Sequence, residues 1–271
     1  MPVCLKLKSS TTIPLEVEGI TPVKCAELSL KQIAELEMYH GNRTTTVGEW
    51  FDVSGDASDQ HLRFEGDCSG VHWIGAKMDG GQITIAGNGG RHVGSEMTAG
   101  QILVEGNVGD WLGGEMHGGR IHVHGNAAHL VGSAYRGSRV GMRGGEILVH
   151  GDAGNEIGHS MRRGLIAIGG RTGDLIGFNM RAGTILAFGE TGIRHGAGMR
   201  RGTIGLLGDT PTDLLLTFRP GCIYAAPAMQ MILRHLDECG YPVPSSIRQR
   251  LLQIHHGDLL EGGRGEIFVC A

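Results

Sequence analysis

The chain has 271 residues, a formal net charge of −4 and only 5 % aromatic residues, which argues against a conventional core built on Phe and Trp. Gly stands out at 48 residues, more than twice the usual ~7 %, but the glycines do not fall every third residue, so collagen is excluded. No apolar run approaches the ~20 residues of a membrane span and the N-terminus MPVCLKLKSS lacks an apolar signal core, so no membrane association and a cytoplasmic location are expected.

In chain order, VCLKLKS and IPLEVEG alternate and predict strands. SLKQIAELEMYHG predicts a helix, with Ser29 and Gln32 as a capping box and Gly41 as its stop. TVGEWFDVSGD reads as a degenerate first unit of the repeat that follows. Residues 1–46 are expected to form an N-terminal cap with one helix.

From residue 47 to 208 the sequence repeats. Turn glycines fall at Gly66, Gly87, Gly106, Gly125, Gly151, Gly170, Gly189 and Gly208, with gaps of 21, 19, 19, 26, 19, 19 and 19 residues. Within the units, the columns Gly75 to Gly196, Met78 to Met199, Gly81 to Gly202 and Ile83 to Ile204 recur. Nineteen residues are too few for a helical-pair repeat, which needs roughly 33 or more. The alternation in QITIAG, QILVEG and RIHVHG means strand. Gly is costly inside a helix but suits corners with positive φ or close packing. The expected fold is therefore all-β, a right-handed parallel β-helix of 19-residue coils, with Ile and Met stacked in its interior. After Gly208, PAMQMILRHLDECG and SSIRQRLLQIHHG predict two helices stopped by Gly240 and Gly257, and GEIFVCA predicts a last strand. Residues 209–271 are expected to form a helical C-terminal cap, since solenoid ends need covering.

No strong catalytic constellation is present: the sequence lacks G-x-S-x-G, a Walker loop and H-E-x-x-H. The G-x-G patterns do not open a strand–turn–helix unit, so they are not a nucleotide fingerprint. Cys4, Cys25, Cys68, Cys222, Cys239 and Cys270 form no C-x-x-C pair and read as isolated thiols. His122 and His124 point outward, with His150 one unit on in the column of His124. They read as stacked neutral histidines, since a metal site wants a third ligand in reach; no metal is expected on this chain. His195 sits in a core column with Ile74, Val93, Leu112, Val131, Ile157 and Ile176, where a paired histidine is expected.

The residue after each Met column position is Asp79, Thr98 and His117 in the first units, then Arg143, Arg162, Arg181 and Arg200. Arg163 and Arg201 widen this basic edge. Residues 133–201 hold ten Arg against five acidic residues. Arg suits bidentate contact with carboxylate or phosphate, so a surface for an acidic partner or polyanion is expected. Nucleic acid is not, because no aromatics interleave with the arginines. The unit between Gly125 and Gly151 is seven residues longer than its neighbours, and Tyr135, Arg136 and Arg139 in that insertion are candidate binding residues.

The Gly-x-x-Met-x-x-Gly-x-Ile coils resemble the C-terminal β-helix domain of the glutamate synthase large chain. With YHGNR at 39–43 and VGSAYRG at 131–137, the chain resembles the C-subunit family of formylmethanofuran dehydrogenase over residues 30–208. That family includes the C-subunit of the formyltransferase/hydrolase complex of methylotrophic bacteria, the version favoured here. The resemblance implies a scaffold without catalytic residues and without a cofactor of its own. Its implied partners are a metal-bearing, amidohydrolase-like subunit, a formyltransferase-like subunit and a further subunit. It implies a methanofuran-type carrier and tetrahydromethanopterin as the cofactors of the complex. A glutamate-rich carrier tail would suit the Arg column and the Tyr135, Arg136 and Arg139 loop. A tungsten or molybdenum formylmethanofuran dehydrogenase and an independent β-helix binding protein are the alternatives.

Overall fold

The structure, a computed structural model, describes residues 1–271. Strands β1 (Val3–Leu7) and β2 (Leu15–Glu16) come first. Helices α1 (Pro22–Ala26) and α2 (Leu30–Ala34), strands β3 (Glu37–His40) and β4 (Arg43–Thr46), helix α3 (Val47–Trp50) and strand β5 (Phe51–Ser54) follow. The repeat carries β6 (His61–Glu65), β7 (Val71–His72), β8 (Asp79–Ala86), β9 (Ala99–Val104), β10 (Arg120–Val123), β11 (Glu146–Val149), β12 (Leu165–Ile168), β13 (Thr184–Ala187) and β14 (Arg201–Leu206). Last come β15 (Arg219–Tyr224), helix α4 (Pro227–Glu238), β16 (Leu252–Gly257) and β17 (Arg264–Cys270). The protein is mostly β: a 13-stranded sheet in the order β15-β16-β17-β14-β13-β12-β11-β10-β9-β8-β6-β1-β5, and a four-stranded sheet, β4-β3-β2-β7.

Each repeat unit contributes one strand to the large sheet. From β6 to β14 these strands pair in parallel, and the register sets Ile83, Ile102, Ile121, Ile147, Ile166, Ile185 and Ile204 side by side. Parallel bridges form a second line through Cys68, Gly89, Val108 and Ala127, and again through Ala153, Thr172 and Thr191. A third line of bonds links Gly94 N–H to Ile74 O, Gly113 to Val93 and Gly132 to Leu112. Successive units thus stack along three lines, with the repeated positions above their counterparts outside the insertion.

The repeated residues interlock. All seven Met of the column are fully buried, and the Ile column is at most 1 % exposed. Gly113 has φ +60, and a Cβ there would meet Ile147 Cδ1 of the next unit at 2.5 Å. Gly119 has φ +84, and its Cβ would meet Met97 Cε of the preceding unit at 2.7 Å. The first Gly column therefore seats the Ile of the unit above, and the second seats the Met of the unit below. Either Cβ would force the overpacking that costs typically ~1–3 kcal/mol, on top of the strained backbone.

Several expectations at the ends need correcting. The capping box of Ser29 and Gln32 forms, but helix α2 stops at Ala34. The residues after it pair as β3 with β4, and Gly41 (φ +61) turns that hairpin. Residues 47–54 are not a degenerate unit: they form α3 and β5, and β5 runs antiparallel to β1. The rung before β6 is supplied by β1, in parallel register. At the other end, α4 forms as expected, with Gly240 at φ +74 beyond it. The second expected helix is instead a short 3-10 turn, Ser245–Gln249, followed by β16. Strand β17 takes the rung after β14, setting Ile267 beside Ile204.

Helix α4 lies against the outer face of the later strands. Its Met229, Leu233 and Leu236 are buried in a second core with Leu148, Ala167 and Leu186. Tyr241 completes this layer, its hydroxyl donating to Val149 O at 3.0 Å. No helix is long and apolar enough to cross a membrane.

Candidate functional site

The arginine column exists as a physical ladder. The backbone N–H of Arg143, Arg162, Arg181 and Arg200 each donates to the Met carbonyl one unit earlier, at 2.7–2.8 Å. Stacking the backbone in this way sets the four side chains in one file, and all four are exposed. Arg200 alone of the four pairs with a carboxylate, Glu261, at 2.9 Å. Arg163 and Arg201 are exposed beside them.

The insertion brings Arg139 to this file. Arg139, Arg181 and Arg200 line a polar hollow of about 260 Å³ together with Ser138, His159 and Asn179, and no apolar residue lines it. A second hollow of about 350 Å³ holds Arg181, Arg200, Arg201 and Arg264, with Glu261 the one acid among them. Arg264 has no signal in the sequence, because it lies beyond the repeat. Its register partner is Arg201, so it extends the basic edge by one rung. Such a file can hold carboxylates or phosphates through fixed guanidinium forks. Arg136 is exposed but lines neither hollow.

Tyr135 goes elsewhere. Its hydroxyl donates to Ser95 Oγ at 2.7 Å and lies 3.1 Å from His92 Nδ1. The ring packs near Trp73, His92 and Trp111, and burial pushes the phenol up to about 12. Tyr135 anchors the insertion onto an aromatic stack; it does not join the arginines. His195 is likewise internal. It is fully buried, accepts from Ile176 N–H at Nδ1 (3.3 Å) and lies 2.9 Å from Gly192 O through Nε2.

His122, His124 and His150 do come together. Register places His124 beside His150, and His122 Nε2 lies 2.6 Å from His150 Nε2. One ring nitrogen from each of the three falls within 4.8 Å of the others. Burial, and then the neighbouring His150 and His124, lower His122 to about 4, and burial lowers His150 as well. His122 also borders a hollow of about 410 Å³ shared with His61, Thr84, Arg120 and Cys239. Across it, Glu146 receives Arg120 Nε at 2.7 Å and His235 Nε2 at 2.5 Å. Burial raises the Glu146 carboxyl, but these two hydrogen bonds outweigh it and hold it below the ordinary range.

Two outer ladders escape a reading of the sequence by columns. Asn107 N–H donates to Asn88 Oδ1, Asn126 to Asn107, Asp152 to Asn126 and Arg171 to Asp152, at 2.7–2.9 Å. A parallel file runs through Asp110, His129, Asn155 and Asp174 to Ile193. Their signal is present all the same: the first file directly follows each turn glycine and the second lies four residues after it, at the repeat interval.

No family model matches the chain. Among curated proteins, it is 39 % identical over 89 residues to the C-subunit of the tungsten-containing formylmethanofuran dehydrogenase 2 of Methanococcus maripaludis, covering 32 % of this chain and 33 % of that one. It is 44 % identical over 84 residues to the C-subunit of the molybdenum-containing formylmethanofuran dehydrogenase 1 of Methanothermobacter marburgensis, covering 31 % and 21 %. The matched stretch thus spans a third or less of those relatives' length. Among solved structures, the chain superposes on a chain of the formyltransferase/hydrolase complex (FhcABCD) from Methylorubrum extorquens in complex with methylofuran. The TM-score is 0.91, the identity 29 %, and 99 % of each chain is covered. The resemblance to the C-subunit of formylmethanofuran dehydrogenase and to the formyltransferase/hydrolase complex, read from the coils together with YHGNR and VGSAYRG, is borne out.

Proposed function

We propose that this chain is the C-subunit of a formyltransferase/hydrolase complex, a scaffold that holds the catalytic subunits in place. The observation that carries this reading is the end-to-end match to a chain of such a complex, 99 % of both chains at TM-score 0.91. The sequence matches to the tungsten and molybdenum enzymes reach about a third of this chain. The stacked units from β6 to β14 then wind as a right-handed parallel β-helix, and the segments before β6 and after β14 cap it while each adds a rung. The partners on this reading are an amidohydrolase-like subunit with its metal, a formyltransferase-like subunit and a further subunit. The complex uses tetrahydromethanopterin and a methanofuran-type carrier; the solved relative is in complex with methylofuran.

On the same reading the file of Arg143, Arg162, Arg181 and Arg200, widened by Arg139, Arg201 and Arg264, guides an acidic carrier tail. Support comes from its exposed guanidinium groups and the single opposing acid, Glu261. With rungs ~4.8 Å apart, several guanidinium groups of the file can meet one polyanionic tail at once.

Affinity capture of the tagged chain from its own cell, followed by native mass spectrometry, tests the assignment. Co-purification with an amidohydrolase-like and a formyltransferase-like chain, without tungsten or molybdenum, supports it. Recovery of the chain alone at native abundance overturns the scaffold, and bound tungsten or molybdenum selects the dehydrogenase. An Arg162→Glu, Arg181→Glu double variant whose complex assembles and turns over normally removes the carrier role from the arginines.

A further inference from the structure

The geometry points to a divalent metal site of the zinc class on this chain, held by His122, His124 and His150 with one coordination position open to solvent. The three residues come from two adjacent strands. His122 lies on β10 and His124 just past its end, while His150 follows the end of β11, one step beyond the register pair of Val123 with Val149. Parallel stacking therefore converts an i, i+2 pair into a triangle. One ring nitrogen per residue lies within 4.8 Å of the others, and two of them are 2.6 Å apart.

Zinc with three imidazoles and an open fourth position is a recurrent arrangement, with Zn–N bonds near 2.0–2.1 Å. Those bonds at tetrahedral angles place the nitrogens about 3.3 Å apart. All three nitrogens lie within 4.8 Å of one another and the His122–His150 pair stands at 2.6 Å, so that pair has to open by only ~0.7 Å to seat an ion. Carboxylates are absent from the triangle, which selects against calcium and magnesium and for metals that prefer nitrogen. His124 is exposed and His122 borders the 410 Å³ hollow, so water or a small anion reaches the fourth position. A hydrogen bond between His122 and His150 explains two of the rings but not the convergence of the third.

A second cluster, Glu146, His235 and Cys239, also meets within 4.8 Å. It is the weaker candidate. Both Glu146 oxygens are already engaged, by Arg120 and by His235.

The test titrates the metal-free full-length chain with Co²⁺ and then displaces it with Zn²⁺. The expected result is one Co²⁺ per chain, with the intense visible bands of a tetrahedral nitrogen-rich site, lost on adding one equivalent of Zn²⁺. Zinc raises the melting temperature of the wild-type chain, because it binds only the folded state. His124→Ala, at an exposed position the fold tolerates, lowers the Co²⁺ affinity at least ~10-fold, and Arg162→Ala leaves it unchanged. No visible band at equimolar Co²⁺ overturns the site. So does binding that survives His124→Ala, or a thiolate-to-cobalt charge-transfer band abolished by Cys239→Ser, which places the ion on the other cluster.

Discussion

The units around β8 to β10 and those around β11 to β14 share an interior and differ outside. In both, Met and Ile fill the core and glycines seat them. On the outer face, one register column runs Thr84, Leu103, His122, Leu148, Ala167, Leu186. Thr84, Leu103 and His122 border an open hollow, whereas Leu148, Ala167 and Leu186 are fully buried beneath α4. The repeat thus specifies the inside along the whole stack, and a non-repeating segment decides what each stretch of the outside is for. Strands buried on both faces lose their alternation: RIHV alternates, but EILV, LIAI and TILA do not.

Several substitutions sharpen this contrast. Met180→Ala and Met97→Ala, one in each region, should each lower stability by roughly 2–5 kcal/mol in chemical denaturation, since the interior is common to both. Equal losses support a continuous core; a loss confined to one region breaks the comparison. On the shared outer column, Leu186→Ala should cost about 2–4 kcal/mol and Leu103→Ala less than about 1 kcal/mol. Similar costs for the two would mean that α4 does not cover its region. Tyr241→Phe, which strips a buried hydrogen bond from Val149 O, should cost about 1–3 kcal/mol and loosen hydrogen exchange in β11 before β9.

The pH response distinguishes the regions further. His92 lies between Trp73 and Trp111, and burial, then His72 and Arg91, lower it to about 4. Asp110 opposes this weakly, and Tyr135 faces it without charge at these pH values. The unfolded chain takes up its proton near the ordinary ~6.5. The stability it contributes is therefore full above about 6.5 and is lost as pH falls through about 4. His92→Gln should flatten part of the decline in melting temperature over that window. An unchanged profile would remove His92 from the titration. The smallest effect is expected at Arg162→Ala, within about 0.5 kcal/mol of wild type, because an exposed arginine in a like-charged file has little fold to support.

The interior is legible in the sequence because each residue recurs at the same place, so period and chemistry can be read together. Positive φ at the first two Gly columns follows from the same argument. Legibility fails where the period breaks. Tyr135 reaches back to Ser95 and His92, and nothing in an insertion says which way it folds. Gly41 and Gly257 look like helix stops in the sequence, yet each ends a strand, because the chain ends must supply pairing partners for exposed strand edges. The cover over Leu148, Ala167 and Leu186 leaves a signal in their lost alternation. That the ring of His122 reaches across the register to His150 depends on side-chain geometry that spacing does not contain.

The two edge arrangements also set a length. The rung before β6 is β1, closed by antiparallel β5, and the rung after β14 is β17, closed by antiparallel β16 and β15. Neither end offers a parallel edge to another stack. The chain is therefore a gauge of fixed extent: from β6 to β17 the rungs span about 38 Å at ~4.8 Å each. Beyond those rungs lie β1 and β5 at one end and β16 and β15 at the other. Duplicating a single 19-residue unit would move the ends apart by one rung.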